Sequence, residues 1–170
     1  VTDGGSGSNE PGIIREELAA QRKEEQLAAS TAVGVSDVRF LGYPDGTLQP
    51  TMELRRDLTR ILREVKPHRV ICQDPRTVFV FDSYINHPDH RAAGEAAVYA
   101  TFPSSETRPI FPELLDEGYE PHKVSELWLT LSLEPTHFVD ISSTIDKKMA
   151  SLRAHESQLG TGEDFDNGAG

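Results

Sequence analysis

One stretch of the sequence, from Thr51 to Asp74, limits the fold more than any other, because a helix signal is followed at once by a buried-strand signal. The side chain of Thr51 is suited to capping a helix N-terminus, and Pro67 ends the helix that would follow. Residues 69–74 then form a short apolar run that is typical of a strand buried on both faces. The helix is predicted to pack on a sheet through apolar residues at helical spacing, namely Leu54, Leu58, Ile61, Leu62 and Val65.

The same alternation of helix and strand continues along the chain. Further helices are predicted at 13–33, 89–100 and about 143–158, and further strands at 38–41, 126–131 and 137–141. Strands that alternate with helices of this length form a parallel sheet. The expected fold is therefore α/β, with a Rossmann-like, doubly wound, mostly parallel sheet and helices on both faces.

Two segments are predicted to be irregular. One is 75–86, and the other is 102–125, which contains four prolines. Long connections inside a compact domain often form the wall or lid of a site. Residues 1–159 are expected to form a single, incomplete domain, and 160–170 a flexible, acidic, glycine-rich tail.

Charge and composition exclude several classes of partner. The net charge is -11, with 17 Lys and Arg against 28 Asp and Glu, and such a surface repels nucleic acids and anionic membranes. No apolar run approaches the roughly 20 residues of a membrane-spanning helix. The single cysteine, Cys72, excludes an internal disulfide and favours a reducing, cytoplasmic location. The expected partner is a small molecule, and homo-oligomerisation is left open.

Polar residues follow three of the predicted strands. In doubly wound sheets, ligands bind beyond the carboxyl ends of the strands. Asp3, Asp45 and Asp74 each come just past a strand end and are therefore predicted to lie on the same rim. His68 and His137 precede their strands, so they are expected at the opposite rim.

The run His87-Pro88-Asp89-His90 is the most distinctive motif of the sequence. Pro88 suits the first turn of a helix, and two imidazoles three residues apart can converge on one point at the helix start. Asp89 could supply the hydrogen bond that fixes a histidine tautomer. Histidines that merely cap the helix are the structural alternative, but the position after an irregular segment favours a functional site.

This motif does not complete a zinc site by itself. A catalytic zinc usually has about three protein ligands and an open position for water. The sequence offers His90, His87 as a further candidate, and a carboxylate from the rim.

Several other short motifs occur along the chain in a specific order. They are Val1-Thr2-Asp3-Gly4-Gly5, Arg22-x-x-Glu25 leading to Val33-Gly34-Val35, Phe40-Leu41-Gly42-Tyr43-Pro44-Asp45-Gly46, Gln73-Asp74-Pro75, His87-Pro88-Asp89-His90-Arg91-Ala92-Ala93-Gly94 and His155-x-Ser157-Gln158. In this order they resemble the LmbE-like (PIG-L) family of zinc-dependent N-deacetylases. The resemblance extends over nearly the whole chain, and the histidine run followed by Arg-Ala-Ala-Gly is its most specific part.

The resemblance implies a zinc-dependent hydrolase that removes the N-acyl group of an N-acetylglucosaminyl-type or related small molecule. It implies that Zn²⁺ is held by His90 together with a His and an Asp from a first-strand motif that this sequence does not contain. It also implies that His87 stabilises the oxyanion and depends on Asp89 for its orientation. The chain then resembles a family member truncated at its N-terminus, lacking the first strand and helix, and alone it is expected neither to hold zinc in the family's manner nor to be active.

Substrate contacts are expected from four side chains: Asp3, Arg22, Asp45 and Asp74. Arg22 offers planar donors to an anionic or hydroxyl-rich substrate, although an Arg22–Glu25 pair on a helix surface is an equal alternative. The two later aspartates could bind sugar hydroxyls, and for Asp45 a role in capping turn N–H groups is slightly favoured.

Two other functions compete with the hydrolase. One is a non-catalytic module that binds a sugar or nucleotide without metal, and the other is a metal-free, degenerate member of the same family. No Gly-x-Gly-x-x-Gly run links a strand to a helix, which disfavours dinucleotide binding. Metal content separates the hydrolase from both alternatives.

Overall fold

A computed structural model describes residues 1–80 and 84–159. They form two compact units, which we call the first unit (Val1–Gly46 with the described residues from Thr136 onward) and the second unit (Thr47–Pro135). The prediction of a single domain over 1–159 stays a prediction, and the predicted tail at 160–170 lies outside the described residues.

The second unit is an α/β arrangement built on a parallel pair of strands. Strand β1 (Arg69–Gln73) pairs in parallel with β4 (Glu126–Thr130), and Ile71 is opposite Trp128. Helices α2 (Met52–Val65) and α3 (Pro88–Tyr99) pack against each other, and α3 also packs on β1. The predicted helix–strand succession from Thr51 to Asp74 is therefore confirmed.

Local sequence signals explain where these helices begin and end. The hydroxyl of Thr51 accepts a hydrogen bond from the Leu54 N–H at 3.2 Å, so it caps α2 as predicted. Lys66, with φ of 52°, takes a left-handed conformation that ends α2 before Pro67. In the first unit, α1 (Arg15–Ala32) is followed by Gly34, whose φ of 83° suits the end of a helix.

The buried face of α2 differs from the predicted one. Its buried residues are Leu54, Thr59 and Arg63, whereas Val65 is 50% exposed. The Arg63 side chain, only 1% exposed, donates hydrogen bonds to backbone carbonyls of a single segment. The acceptors are the carbonyls of Ser104, Ser105, Thr107 and Ile110, at 2.8, 3.2, 3.0 and 3.0 Å.

This contact holds the proline-rich segment that the sequence predicts to be irregular. The segment begins with a kinked π-helical turn, Ala100–Ser104, and contains the short helix α4 (Glu113–Asp116). The other segment predicted to be irregular, 75–86, is not wholly so. It contains two short antiparallel strands, β2 (Phe79–Val80) and β3 (Tyr84–Ile85).

Two predicted strands are wrong. Within the described part of the chain, 38–41 and 137–141 form no strand, and in the first unit Thr2 and Tyr43 form one isolated parallel bridge. An alternating or apolar pattern favours an extended backbone, but a strand also needs a neighbouring strand that completes the hydrogen-bond ladder. Phe138, in the second of these segments, is 87% exposed.

The predicted C-terminal helix is divided in two. Helix α5 (Ile145–Arg153) packs on α1, and α6 (Glu156–Leu159) follows after an interruption at Ala154 and His155. No helix in the part of the chain that the structure describes has the length and apolarity to cross a bilayer.

Candidate active site

The motif His87-Pro88-Asp89-His90 lies at the N-terminus of α3 in the second unit. His87 is the N-cap, and its Nδ1 accepts a hydrogen bond from the Asp89 N–H at 3.2 Å. Both imidazoles are exposed, and the ring centroids of His87 and His90 are 5.3 Å apart. Because Nδ1 of His87 is an acceptor, the neutral ring carries its proton on Nε2, which is left as a donor.

Asp89 is buried, with 4% of its surface exposed. Its Oδ1 accepts a hydrogen bond from the Leu48 N–H at 3.1 Å, and its own N–H is the group that reaches His87. Asp89 therefore fixes the start of α3 to the segment before α2 and orients His87 through the main chain.

Two residues outside the motif set its position: sequence reasoning missed Asn86, and it named Gly94 only as part of the family resemblance. Asn86 is fully buried, donates from Nδ2 to the Thr77 carbonyl at 2.9 Å, and so holds the chain that enters α3. Gly94 faces β1 so closely that a Cβ at this position would overlap the carbonyl oxygen of Gln73. A glycine in the middle of a predicted helix was the available signal for this close approach.

Asp74 follows β1, as predicted, and is only 2% exposed. Its carboxylate accepts from the N–H, Nε and Nη2 of Arg76 at 3.0, 2.9 and 2.7 Å. The Arg76 side chain lowers the pKa of Asp74, against the opposing effect of burial, so this carboxylate is ionised at neutral pH. Arg76 is exposed and was not among the predicted site residues.

Asp3 and Asp45 lie together in the first unit, in one hydrogen-bonded loop. Asp3 Oδ1 accepts from the N–H groups of Gly5 and Asp45 at 3.0 and 3.2 Å, and Asp45 Oδ2 accepts from the Ser6 N–H at 3.1 Å. Burial acts to raise the pKa of Asp3, but these two backbone donors and Arg15 outweigh it, and the net pKa is lowered. Both carboxylates therefore cap backbone N–H groups.

Arg22 and Glu25 belong to the same helix of the first unit, yet they do not form the ion pair that was the structural alternative. Arg22 Nη2 donates to the Gly7 carbonyl at 3.1 Å. Glu25, 8% exposed, instead accepts hydrogen bonds from the N–H and the hydroxyl of Ser157 at 2.8 and 2.7 Å. Of the predicted site residues, Asp3, Arg22 and Asp45 therefore belong to the first unit, and Asp74, His87, Asp89 and His90 to the second.

Comparison with known proteins places these motifs in a family. Residues 1–101 match the family described as PIG-L, GlcNAc-PI de-N-acetylase, and this stretch includes the histidine motif. The chain belongs to the PIG-L family. The matched region includes α1 and the part of the second unit from Thr47 to Thr101.

The relatives that it resembles are deacetylases. The chain is 31% identical over 163 residues to a diacetylchitobiose deacetylase of Thermococcus kodakarensis, covering 94% of this chain and 57% of the relative. It is 31% identical over 158 residues to a probable N-acetyl-alpha-D-glucosaminyl L-malate deacetylase 2 of Bacillus anthracis, covering 90% and 62%. The chain thus spans about 60% of the length of these family members.

A solved structure agrees with this assignment. The N,N'-diacetylchitobiose deacetylase of Pyrococcus horikoshii matches with a TM-score of 0.85 and 30% identity, over 98% of this chain and 60% of that one. The parallel strand pair and its helices are therefore part of the α/β fold of this family.

The described residues do not provide a complete ligand set for the zinc that the family resemblance implies. The described residues contain no group of three or more His, Cys, Asp or Glu side chains that could hold a metal ion. His87 and His90 form only a pair, which is fewer than the roughly three protein ligands of a catalytic zinc.

Proposed function

We propose that the whole protein is a zinc-dependent deacetylase that removes the N-acetyl group of a small GlcNAc-type substrate. The pair of exposed histidines at the N-terminus of α3 carries this proposal, since it lies in the region that matches a family of de-N-acetylases. In this proposal the parallel strands belong to a Rossmann-like, doubly wound sheet, and His90 is one of the zinc ligands. The other ligands are not found among the described residues.

His87 is proposed to act on the substrate directly. When an amide is hydrolysed, negative charge develops on the carbonyl oxygen, and a fixed N–H donor stabilises it. The Asp89 N–H occupies Nδ1 of His87, which leaves the Nε2–H to donate to this oxyanion. Asp89 acts through His87, because its buried carboxylate holds the turn that presents the ring.

Substrate binding is assigned to Asp3, Arg22, Asp45 and Asp74, as the sequence predicts. Arg22 has most of its donors unused, since Gly7 is its hydrogen-bond acceptor among the described residues. Both oxygens of Asp74 are engaged by Arg76, so Asp74 contributes by fixing that exposed guanidinium. We further propose a cytoplasmic location, which the single cysteine, Cys72, favours.

The experiment is the substitution His87→Ala in the whole protein, with N,N'-diacetylchitobiose as substrate and acetate release as the readout. We expect kcat to fall by about 10²–10³ with little change in KM, because a transition-state donor is lost. His68→Ala is the matched control. His68 is also exposed, but it lies just before β1 and forms a hydrogen bond with Glu126. Unchanged kcat in His87→Ala contradicts the role, and loss of bound zinc makes His87 a metal ligand instead.

A metal-free binding module or degenerate family member is the second candidate. It is favoured by the lack of a three-ligand group among the described residues. This candidate requires two results. The whole protein must bind N-acetylglucosamine after all metal has been chelated, and it must not hydrolyse this sugar when zinc is restored.

A further inference from the structure

Three polar residues are buried in the stretch that joins β1 to α3, just before the histidine motif. Asp74, Thr77 and Asn86 are 2%, 2% and 0% exposed. Polar groups that are removed from water need hydrogen-bond partners inside the protein, because an unpaired group destabilises the fold. The partners of these three residues therefore show what their burial achieves.

The three residues form one chain of hydrogen bonds that begins at the sheet. The Asp74 N–H donates to the carbonyl of Thr130, at the end of β4, at 2.9 Å. The Asp74 carbonyl accepts from the Thr77 N–H at 3.3 Å, and the Thr77 carbonyl accepts from Nδ2 of Asn86 at 2.9 Å. Asn86 is therefore tied to the carboxyl end of the parallel strand pair.

The turn between Asp74 and Thr77 is held by a charged pair as well as by its backbone. Both the N–H and the Nε of Arg76 donate to Oδ1 of Asp74, and Nη2 donates to Oδ2. One buried carboxylate thus binds the main chain and the side chain of the same residue, and the guanidinium compensates its charge. This turn is a firm support for the Thr77 carbonyl that Asn86 binds.

Asn86 holds the residue before His87 at two adjacent points. Besides the bond from its side chain, its own N–H donates to the carbonyl of Val78 at 2.8 Å. On the other side of His87, the carboxylate of Asp89 accepts from the Leu48 N–H. The backbone of His87 therefore lies between two buried anchors, and Asn86 is the one that leads back to the sheet.

The hydrogen bond of the His87 ring depends on this placement of the backbone. Nδ1 accepts from the Asp89 N–H at 3.2 Å, which is near the upper limit for such a bond, so a small shift of His87 would break it. The bond at one ring nitrogen decides where the proton of a neutral imidazole lies. Without it, the proton is no longer confined to Nε2.

We propose that Asn86 is a positioning residue for His87, and that the buried chain from Asp74 through Thr77 to Asn86 keeps the imidazole in its Nε2–H form. The proposal rests on the proposed function, in which this N–H donates to the oxyanion. The two can fail separately, because the tautomer of His87 is measurable in the chain without metal and without substrate.

The first test is ¹⁵N NMR of the histidine-labelled full chain at pH 8, where the neutral form of an ordinary imidazole predominates. We expect the Nε2–H tautomer for His87 in the unsubstituted chain and a mixture of both tautomers in Asn86→Ala. Arg76→Gln weakens the same chain from its exposed end and should shift the tautomers less, in the same direction. It tests the proposal even if Asn86→Ala does not fold.

Thr59→Val is the matched control for the NMR experiment. Thr59 is also fully buried in the second unit, and its hydroxyl donates to the Arg55 carbonyl at 2.7 Å within α2. The substitution removes a buried hydrogen bond away from the motif and should leave the His87 tautomer unchanged. A pure Nε2–H form in Arg76→Gln and in folded Asn86→Ala, or a mixture in Thr59→Val as well, overturns the proposal.

The second test measures the kinetics of the whole protein with N,N'-diacetylchitobiose. We expect Asn86→Ala to lower kcat by about tenfold or more with little change in KM, because a transition-state donor is displaced. Lower kcat without any change of tautomer overturns the positioning role. A mixed tautomer with unchanged kcat supports that role and contradicts the proposed action of His87 on the substrate.

Discussion

The Cys72 thiol is a half-buried group in β1 that points toward α3, where its sulfur donates to the Gly94 carbonyl at 3.9 Å. Burial raises the pKa of Cys72 to about 11, and the nearby charge of Asp74 adds to this effect. The neutral thiol is therefore the form that the folded protein favours, and the thiolate, which is the reactive form, is rare.

We expect iodoacetamide to alkylate Cys72 about 100-fold more slowly in the native chain than in the unfolded chain at pH 8. The reason is the rise of the pKa from the ordinary value of 9.0 to about 11, which lowers the thiolate fraction by about two powers of ten. Mass spectrometry of the native protein and of the protein in denaturant measures both rates. Equal rates would show that the thiol is neither desolvated nor shielded.

The raised pKa of Cys72 also sets the direction in which pH changes the stability of the fold. A pKa that is higher in the folded state stabilises the fold at low pH, and this contribution is lost as the pH rises from about 9 to 11. Asp74 has the opposite effect. Because its pKa is lowered in the folded state, its contribution to stability is lost when the pH falls.

At the residue scale, sequence reasoning named several residues that the structure places in turns or after a strand, but not their partners. Asp74 was recognisable because it follows a buried strand, and Asp45 because it lies in a Pro-Asp-Gly turn, and both signals are local. The contact between Glu25 and Ser157 joins residues 132 positions apart, and no spacing rule links them. Arg76 was missed for a different reason, since an exposed arginine beside a proline turn gives no signal until its carboxylate partner is seen.

At the scale of secondary-structure elements, the packing of α2 depends on a polar side chain that its amphipathic pattern does not predict to be buried. Arg63 is 1% exposed and binds four backbone carbonyls of the segment after α3. We expect Arg63→Met to reduce the free energy of unfolding by about 3–5 kcal/mol, because it leaves buried carbonyls without donors. Urea denaturation followed by circular dichroism provides the measurement.

Arg60→Met is the control for this substitution. Arg60 lies one turn earlier on α2, is half-buried, and has Glu64 as a loose partner at 3.9 Å. A surface pair of this kind contributes about 0–1 kcal/mol. Similar losses for the two variants would mean that the buried guanidinium does not hold the segment.

The contact between α3 and β1 permits a second prediction at this scale. Gly94→Ala would bring a Cβ into the carbonyl oxygen of Gln73, so α3 must move away from the strand. We expect a loss of about 1–3 kcal/mol in the free energy of unfolding, the usual cost of overpacking, despite the higher helix propensity of alanine. Thermal and urea denaturation measure it, and a stabilised Gly94→Ala protein would contradict the close contact.

The elements that sequence predicted correctly are those whose signals are local. Thr51 caps α2, Gly34 follows α1, and Pro88 opens α3, each beside an unbroken periodic run. The strands expected at 38–41 and 137–141 are not formed, because a strand also requires a neighbouring strand in register. The interruption at His155 was equally unpredictable, since Glu25 on a distant helix anchors the turn that follows it.

At the scale of the whole molecule, metal binding is the property that most needs measurement. The described residues offer two adjacent imidazoles and no three-ligand group. We therefore expect the 170-residue chain to bind Zn²⁺ more weakly than about 1 μM in calorimetry, and to show no deacetylation. Stoichiometric nanomolar binding that His90→Ala abolishes would contradict this expectation.

The way Arg63 holds the proline-rich segment has a consequence for protein engineering. The guanidinium recognises main-chain oxygens, which every amino acid supplies, and at Thr107 and Ile110 it makes no demand on the side chain. Substitutions at 106–110 should therefore change the chemistry of this surface without releasing its backbone. With such an anchor, the backbone path of the loop does not depend on its side chains. This stretch is therefore suited to a library of randomised sequences.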